Sequence, residues 1–196
     1  MDEGDDVHWL IVTEMPSSFP EHIRERRKQE ISRVAASYKF ADTYQLGFPT
    51  TRLDQVGMDK LVQKIAEVFQ HVKPNVIYVP YPGDAHSDHD YVFRATASCS
   101  KWFRHDYIQK VAVYEKLSET DFGIHPFDGG FRPNLFVNIT KYLKKKIEIM
   151  GIYSSEMGEF PFPRSEKTIR SLASLRGSAS GFEAAEAFMV IREIVS

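Results

Sequence analysis

Residues Val76 to Phe93 read VIYVPYPGDAHSDHDYVF. The first five, VIYVP, form a short apolar run rich in β-branched and aromatic residues, the signature of a buried strand. A Pro-Gly turn follows, then His86-Ser87-Asp88-His89, and from about Asp88 to Phe103 the pattern is helical. Strand, turn and helix in that order form the basic unit of an α/β fold, and the flanking sequence repeats it. Upstream, Leu61, Ile65, Val68, Phe69 and Val72 make a helical stripe within Met58 to Val72, and Pro74 stops it. Further upstream, Val7 to Thr13 (VHWLIVT) reads as a buried strand. Glu21 to Lys39 reads as a helix with Ile31, Val34, Ala35 and Tyr38 on one face, and Asp42 to Gly47 as a short strand. Downstream, Val111 to Tyr114 and Leu135 to Ile139 are strands, and a helix carrying Leu143, Ile147 and Met150 is expected after a Thr140 cap. Two last helices, split at Gly177 and Gly181, are expected after the irregular loop from Gly158 to Arg164. Alternating strands and helices predict a mostly parallel sheet flanked by helices, with the chemistry beyond the carboxyl ends of the strands.

Composition agrees with a single globular domain over residues 1–196. The chain is 42% hydrophobic and 27% charged, with a net charge of −2. Nothing in that balance demands a nucleic acid or a membrane surface as partner. The Lys144 to Lys146 run reads as a solvated helix face. No apolar run approaches the roughly 18 residues that span a bilayer. Cys99 is the only cysteine, so no internal disulfide forms, and a reducing, cytoplasmic location is the expectation. Asn138-Ile139-Thr140 fits the glycosylation acceptor pattern, which in a chain with no export signal is read as chance.

The loop after VIYVP concentrates the residues able to do chemistry. His86 and His89 stand three apart at a strand end, where a tight loop can aim both imidazoles into one crevice. Asp84 and Asp88 add charge that suits a cation, and Asp88 is placed to cap the helix. Gly83 is expected to permit a turn that a Cβ would resist. This cluster supplies at most two metal ligands, whereas a catalytic zinc takes three and keeps one position open. His8, His22, His71 and His105 read as strand-face, surface or helix-end residues. His125, in the long Ser118 to Pro133 connection, is the one outside candidate.

PYPGDAHSDHDYVF (Pro80 to Phe93) resembles the second signature of the PIG-L/LmbE-like family. The likeness extends through LGFPTTRLD (Leu46 to Asp54), VYEKLSET (Val113 to Thr120), YSSEMGEFPFPRS (Tyr153 to Ser165) and LRGSASGFEAAEAF (Leu175 to Phe188). The resemblance implies a Rossmann-like fold and a zinc-dependent hydrolase that removes an acetyl group from an N-acetylated sugar or sugar conjugate. It implies His89 as metal ligand, His86 as the group that protonates the leaving amine or stabilises the oxyanion, and Asp88 as the residue orienting a histidine. Arg52 and Glu119, each just after an expected strand, are candidate substrate contacts, and Arg164 is a weaker one. Ser87 stands where the family usually has proline. The family's A-H-P-D-D motif, which brings two more ligands and the general base, has no counterpart here; Glu3, Asp5 and Asp6 do not match it in spacing. The expectation is therefore a fold truncated at its N-terminus relative to the family, lacking its first strand and helix. The divalent metal would be held weakly or not at all, and residues 1–196 alone would release no acetate.

Without that first strand, Val7 to Thr13 and Val76 to Pro80 are expected to pair directly, to borrow a strand, or to leave the domain marginally stable. The expected partner is a small N-acetylated sugar or glycoconjugate, with a homo-oligomer compatible. The competing reading is a metal-free sugar-binding or structural relic. A Rossmann dehydrogenase is excluded because no glycine-rich fingerprint follows a strand.

Overall fold

A computed structural model describes residues 4–124 and 129–195. Glu3 and His125 lie outside the described residues. The elements run β1 (His8–Glu14), α1 (Glu21–Tyr38), β2 (Asp42–Pro49), α2 (Met58–Val72), β3 (Val76–Pro80), α3 (Ser87–Cys99), β4 (Lys110–Tyr114), β5 (Leu135–Asn138), α4 (Leu143–Met150), α5 (Glu166–Ser178) and β6 (Ala185–Glu193), with short 3-10 turns at Leu53–Gln55 and Thr120–Phe122. The expected α/β alternation holds through β4.

The core follows from the stripes. Leu61, Ile65 and Phe69 of α2 are buried against Ile77 and Val79 of β3 and Val111 and Val113 of β4, with Leu53 and Ile108 closing the ends. In β3 the side chains alternate as a strand dictates: Ile77 and Val79 face the core, while Val76 and Tyr78 remain 37% and 49% exposed. Lys73 adopts a left-handed conformation and its N–H closes α2 onto the Phe69 carbonyl, one residue before Pro74.

The strands form two sheets. β1 pairs with β2, and a second sheet has the order β3-β4-β6-β5. β1–β2 and β3–β4 are parallel; β6 runs antiparallel to both β4 and β5. Direct pairing of β1 with β3, one of the arrangements expected, does not occur. The two sheets are joined by side chains instead: Leu10 and Val12 of β1 and Leu46 and Phe48 of β2 pack in one cluster with Ile77 and Val79 of β3, and the Asp88 carboxylate on α3 bonds the loop after β2. β1 is not deeply covered. Trp9, Leu10, Ile11 and Val12 of β1 are only half-buried. An edge of this exposure lies within reach of solvent, and the penalty for buried unpaired backbone does not apply in full.

Three other expectations are corrected. Ala185–Glu193 is strand β6, not a final helix; the helix of this region is α5. Helix α3 stops at Cys99 rather than Phe103, and Trp102 and Phe103 occupy an exposed turn. Thr140 does not cap α4, which begins after Tyr142 without a side-chain cap. Ser165 does cap α5: its Oγ accepts from Thr168 N at 3.2 Å while the residue is 2% exposed. Ser165→Ala is expected to cost about 1 kcal/mol in unfolding free energy, read as a shift of the urea midpoint with an unchanged slope.

Candidate active site

β3 and β4 end side by side, Pro80 opposite Tyr114, and Tyr81 N–H bonds the Tyr114 carbonyl at 3.1 Å. From there the chain turns through Pro82 and Gly83 and enters α3. Gly83 is needed for a reason other than the one expected. Its backbone is not left-handed; a Cβ there would fall 2.7 Å from Tyr81 Cζ. Gly123 approaches the same turn so closely that a Cβ would collide with the Gly83 carbonyl. The segment from Lys116 to Gly123 is thus laid against the histidine loop, and Ala85 N–H bonds the Glu119 carbonyl at 3.0 Å.

His86 and His89 come together. Their rings stack with centroids 5.1 Å apart and planes 13° apart. His86 caps α3: its Nδ1 accepts from the Asp88 backbone N–H at 3.2 Å, the place the sequence assigned to Asp88. His89 Nδ1 lies 2.6 Å from Oδ2 of Asp84, whose carboxylate is fully buried. Asp84 Oδ1 accepts from Thr120 Oγ1 at 2.6 Å, and that hydroxyl accepts from Lys116 N–H at 2.8 Å. Nearby, burial and the Asp84 charge push the Tyr114 hydroxyl up to about 12, so the phenol stays protonated.

Asp88 is placed differently from the expectation. Its Oδ2 accepts from Thr51 N–H at 2.7 Å and Oδ1 from Leu53 N–H at 3.2 Å, while His86 Nδ1 is 4.0 Å away. It fastens the loop after β2 to α3 and does not hydrogen-bond a histidine ring. The role of ring partner falls to Asp84, which the sequence offered only as a negative charge. Thr120 is a site residue that sequence reasoning missed; its position just after β4 was the available signal.

Arg52 stands between the two latched amides, exposed at the edge of the site. Glu119 is half-buried, with its carboxylate accepting from Ser118 Oγ at 3.2 Å. Arg164 reaches the same hydroxyl at 2.7 Å and is anchored on Glu156, which also pairs with Arg27 of α1. Burial opposes ionisation of Glu156, but the hydrogen bond and charge of Arg27, with Arg164 and Lys116, outweigh it and lower its pKa.

Among the described residues, four that are not glycine have positive φ. Lys39 and Lys73 close helices, an ordinary use of that conformation. Thr51 (φ 62°) and Ser118 (φ 71°) do not; they flank the histidines, where strain of about 1–3 kcal/mol each is held by neighbouring bonds.

Zinc makes definite demands on a donor set. With Nδ1 engaged, His89 keeps Nε2 for a ligand, as second-sphere carboxylates commonly arrange. Among the described residues, however, no group of three His, Cys, Asp or Glu is disposed to hold a metal ion. Asp84, the nearest carboxylate, is committed to His89 and Thr120. The described residues provide one prepared imidazole and do not by themselves fit a metal centre.

A family model described as PIG-L: GlcNAc-PI de-N-acetylase matches residues 1–100, which include the histidine loop. Among solved structures, the chain is similar to the conserved protein TT1542 from Thermus thermophilus, with 20% identity, a TM-score of 0.75, and 100% of this chain and 86% of that one covered. It is similar to N,N'-diacetylchitobiose deacetylase from Pyrococcus horikoshii, with 16% identity, a TM-score of 0.75, and 97% and 74% covered. The zinc-inhibited form of teicoplanin deacetylase Orf2 matches with 15% identity, a TM-score of 0.72, and 100% and 91% covered. At these identities the structures establish a shared fold. No described helix is long and apolar enough to cross a membrane.

Proposed function

The chain belongs to the PIG-L family, and from that premise we propose that its site is built for hydrolysis of an acetamide on an N-acetylated sugar or sugar conjugate. The observation carrying this reading is the stacked His86–His89 pair at the carboxyl end of β3, with Asp84 buried behind it, inside the segment the family model matches. In the reaction, water adds to the acetyl carbonyl, the C–N bond breaks, and acetate and a free amine leave. His86, with Nδ1 occupied by the Asp88 amide, offers its Nε2–H as a hydrogen-bond donor to the oxyanion that forms on the acetyl oxygen. Arg52 and Glu119, on either side of the histidines, suit sugar hydroxyls. His89 Nε2 is the nitrogen suited to a divalent metal such as zinc, which would polarise the acetyl carbonyl when bound.

A second reading, sugar binding without hydrolysis, is supported by the missing three-ligand group among the described residues. One experiment separates them. The protein is incubated with N-acetylglucosamine conjugates over a zinc series, while acetate release and sugar affinity are followed together. Acetate release that rises with zinc and disappears in His89→Ala supports the hydrolase. Sugar affinity with no release at saturating zinc supports the binding module.

A further inference from the structure

We propose that Asp84 and Thr120 are positioning residues that lock His89 with its proton on Nδ1, while the first turn of α3 locks its stacked neighbour His86 in the opposite tautomer. The site then presents two different nitrogens side by side: an N–H donor at His86 Nε2 and a lone pair at His89 Nε2. What this means for catalysis rests on the hydrolase reading; the tautomers themselves rest only on hydrogen bonds.

The direction of each bond fixes the assignment. Lys116 N–H donates to Thr120 Oγ1 at 2.8 Å, which occupies a lone pair of the hydroxyl and turns its proton toward Asp84 Oδ1 at 2.6 Å. A carboxylate only accepts, so the 2.6 Å contact between Asp84 Oδ2 and His89 Nδ1 requires the proton on Nδ1. Neutral imidazole then carries its lone pair on Nε2. At His86 the roles reverse: a backbone amide can only donate, so Nδ1 accepts from Asp88 N–H and the proton sits on Nε2.

Thr120 makes the lock directional. In Asp84→Asn the hydroxyl would still seek the amide oxygen, leaving the NH2 to face His89. That group donates, so His89 must accept at Nδ1 and carry its proton on Nε2, the wrong tautomer for a ligand. The same exchange in a catalytic triad is known to be costly with the geometry intact. Adding Thr120→Val removes the bias and lets the amide rotate its oxygen toward His89.

The test is long-range proton–nitrogen correlation NMR of the histidine-labelled 196-residue protein, metal-free and in alkaline buffer, with His86→Gln used to assign the two rings. The expected spectrum shows His89 protonated on Nδ1 and His86 on Nε2. Asp84→Asn should exchange the His89 pattern, Thr120→Val alone should preserve it, and the double variant should return a measurable share to the Nδ1–H form. Wild-type His89 protonated on Nε2, or an unchanged pattern in a folded Asp84→Asn protein, overturns the proposal. If Asp84→Asn does not fold, the wild-type spectrum decides alone. Absence of acetate release with the expected tautomers would overturn the hydrolase reading and leave this one standing.

Discussion

Asp88→Ala is expected to lower the unfolding free energy by about 3–5 kcal/mol, because two hydrogen bonds to a buried charged acceptor disappear and their donors remain behind. Thr51 and Leu53 N–H lose their partner together, and Leu53 is fully buried, so water cannot readily replace the carboxylate. Thr51 would lose the bond that holds its left-handed backbone as well. For a chain of this length the corresponding fall in Tm is roughly 10 °C. Asp88→Asn should rescue little, since an amide can accept from one N–H while presenting its own donors to the other. Thermal melts of the two variants decide the matter. A Tm within a degree or two of wild type, combined with a large loss of acetate release or zinc affinity, would return Asp88 to the ring-orienting role that its place between the histidines suggested.

Backbone amides on the unpaired edges of β1 and β3 should exchange with solvent at least about 10³-fold faster than those of β4. β4 lies between β3 and β6, and its Ala112 and Val113 are fully buried, so its amides open only with the whole domain. For an ordinary domain that opening costs about 5–15 kcal/mol. Among the described residues, β1 has a partner on one side only, in a sheet of two strands, and β3 likewise bonds only β4. Two paired strands contribute little stability alone, so β1 and β2 depend on side-chain packing against the α2–α3 layer. Residue-resolved exchange at low protein concentration reads this directly. Outward-facing β1 amides as slow as those of β4 would mean that something already fills the edge.

The parts legible in the sequence share one property: their determinants are local. VIYVP, the α2 stripe and the histidine pair at the strand end each lie within a few residues, and the structure places them as the periodicity indicates. The C-terminal strand reads as helix because Ala185, Glu186 and Ala187 favour helix intrinsically, whereas pairing with β4 and β5 decides the conformation. Trp102 and Phe103 extend the apparent helix since nothing at Cys99 marks a stop. Within the site, the sequence locates the histidines but not the partners of the carboxylates. Asp88 sits between the two histidines, yet its partners are Thr51 and Leu53, far upstream; Asp84 is defined by Thr120, far downstream. Long-range hydrogen bonds of this kind leave no periodic trace.

The rim of the site is held by two fastenings of different character. The Asp88 latch is buried, whereas the Arg27–Glu156–Arg164 relay that steadies Ser118 has side chains 22% to 32% exposed. Counterions reach exposed charges readily, and the Debye length is about 8 Å at physiological ionic strength. Dissolved electrolyte therefore acts on one side of the crevice and spares the other: the Ser118–Glu119 side loosens as salt rises, while the Thr51–Leu53 side keeps its place.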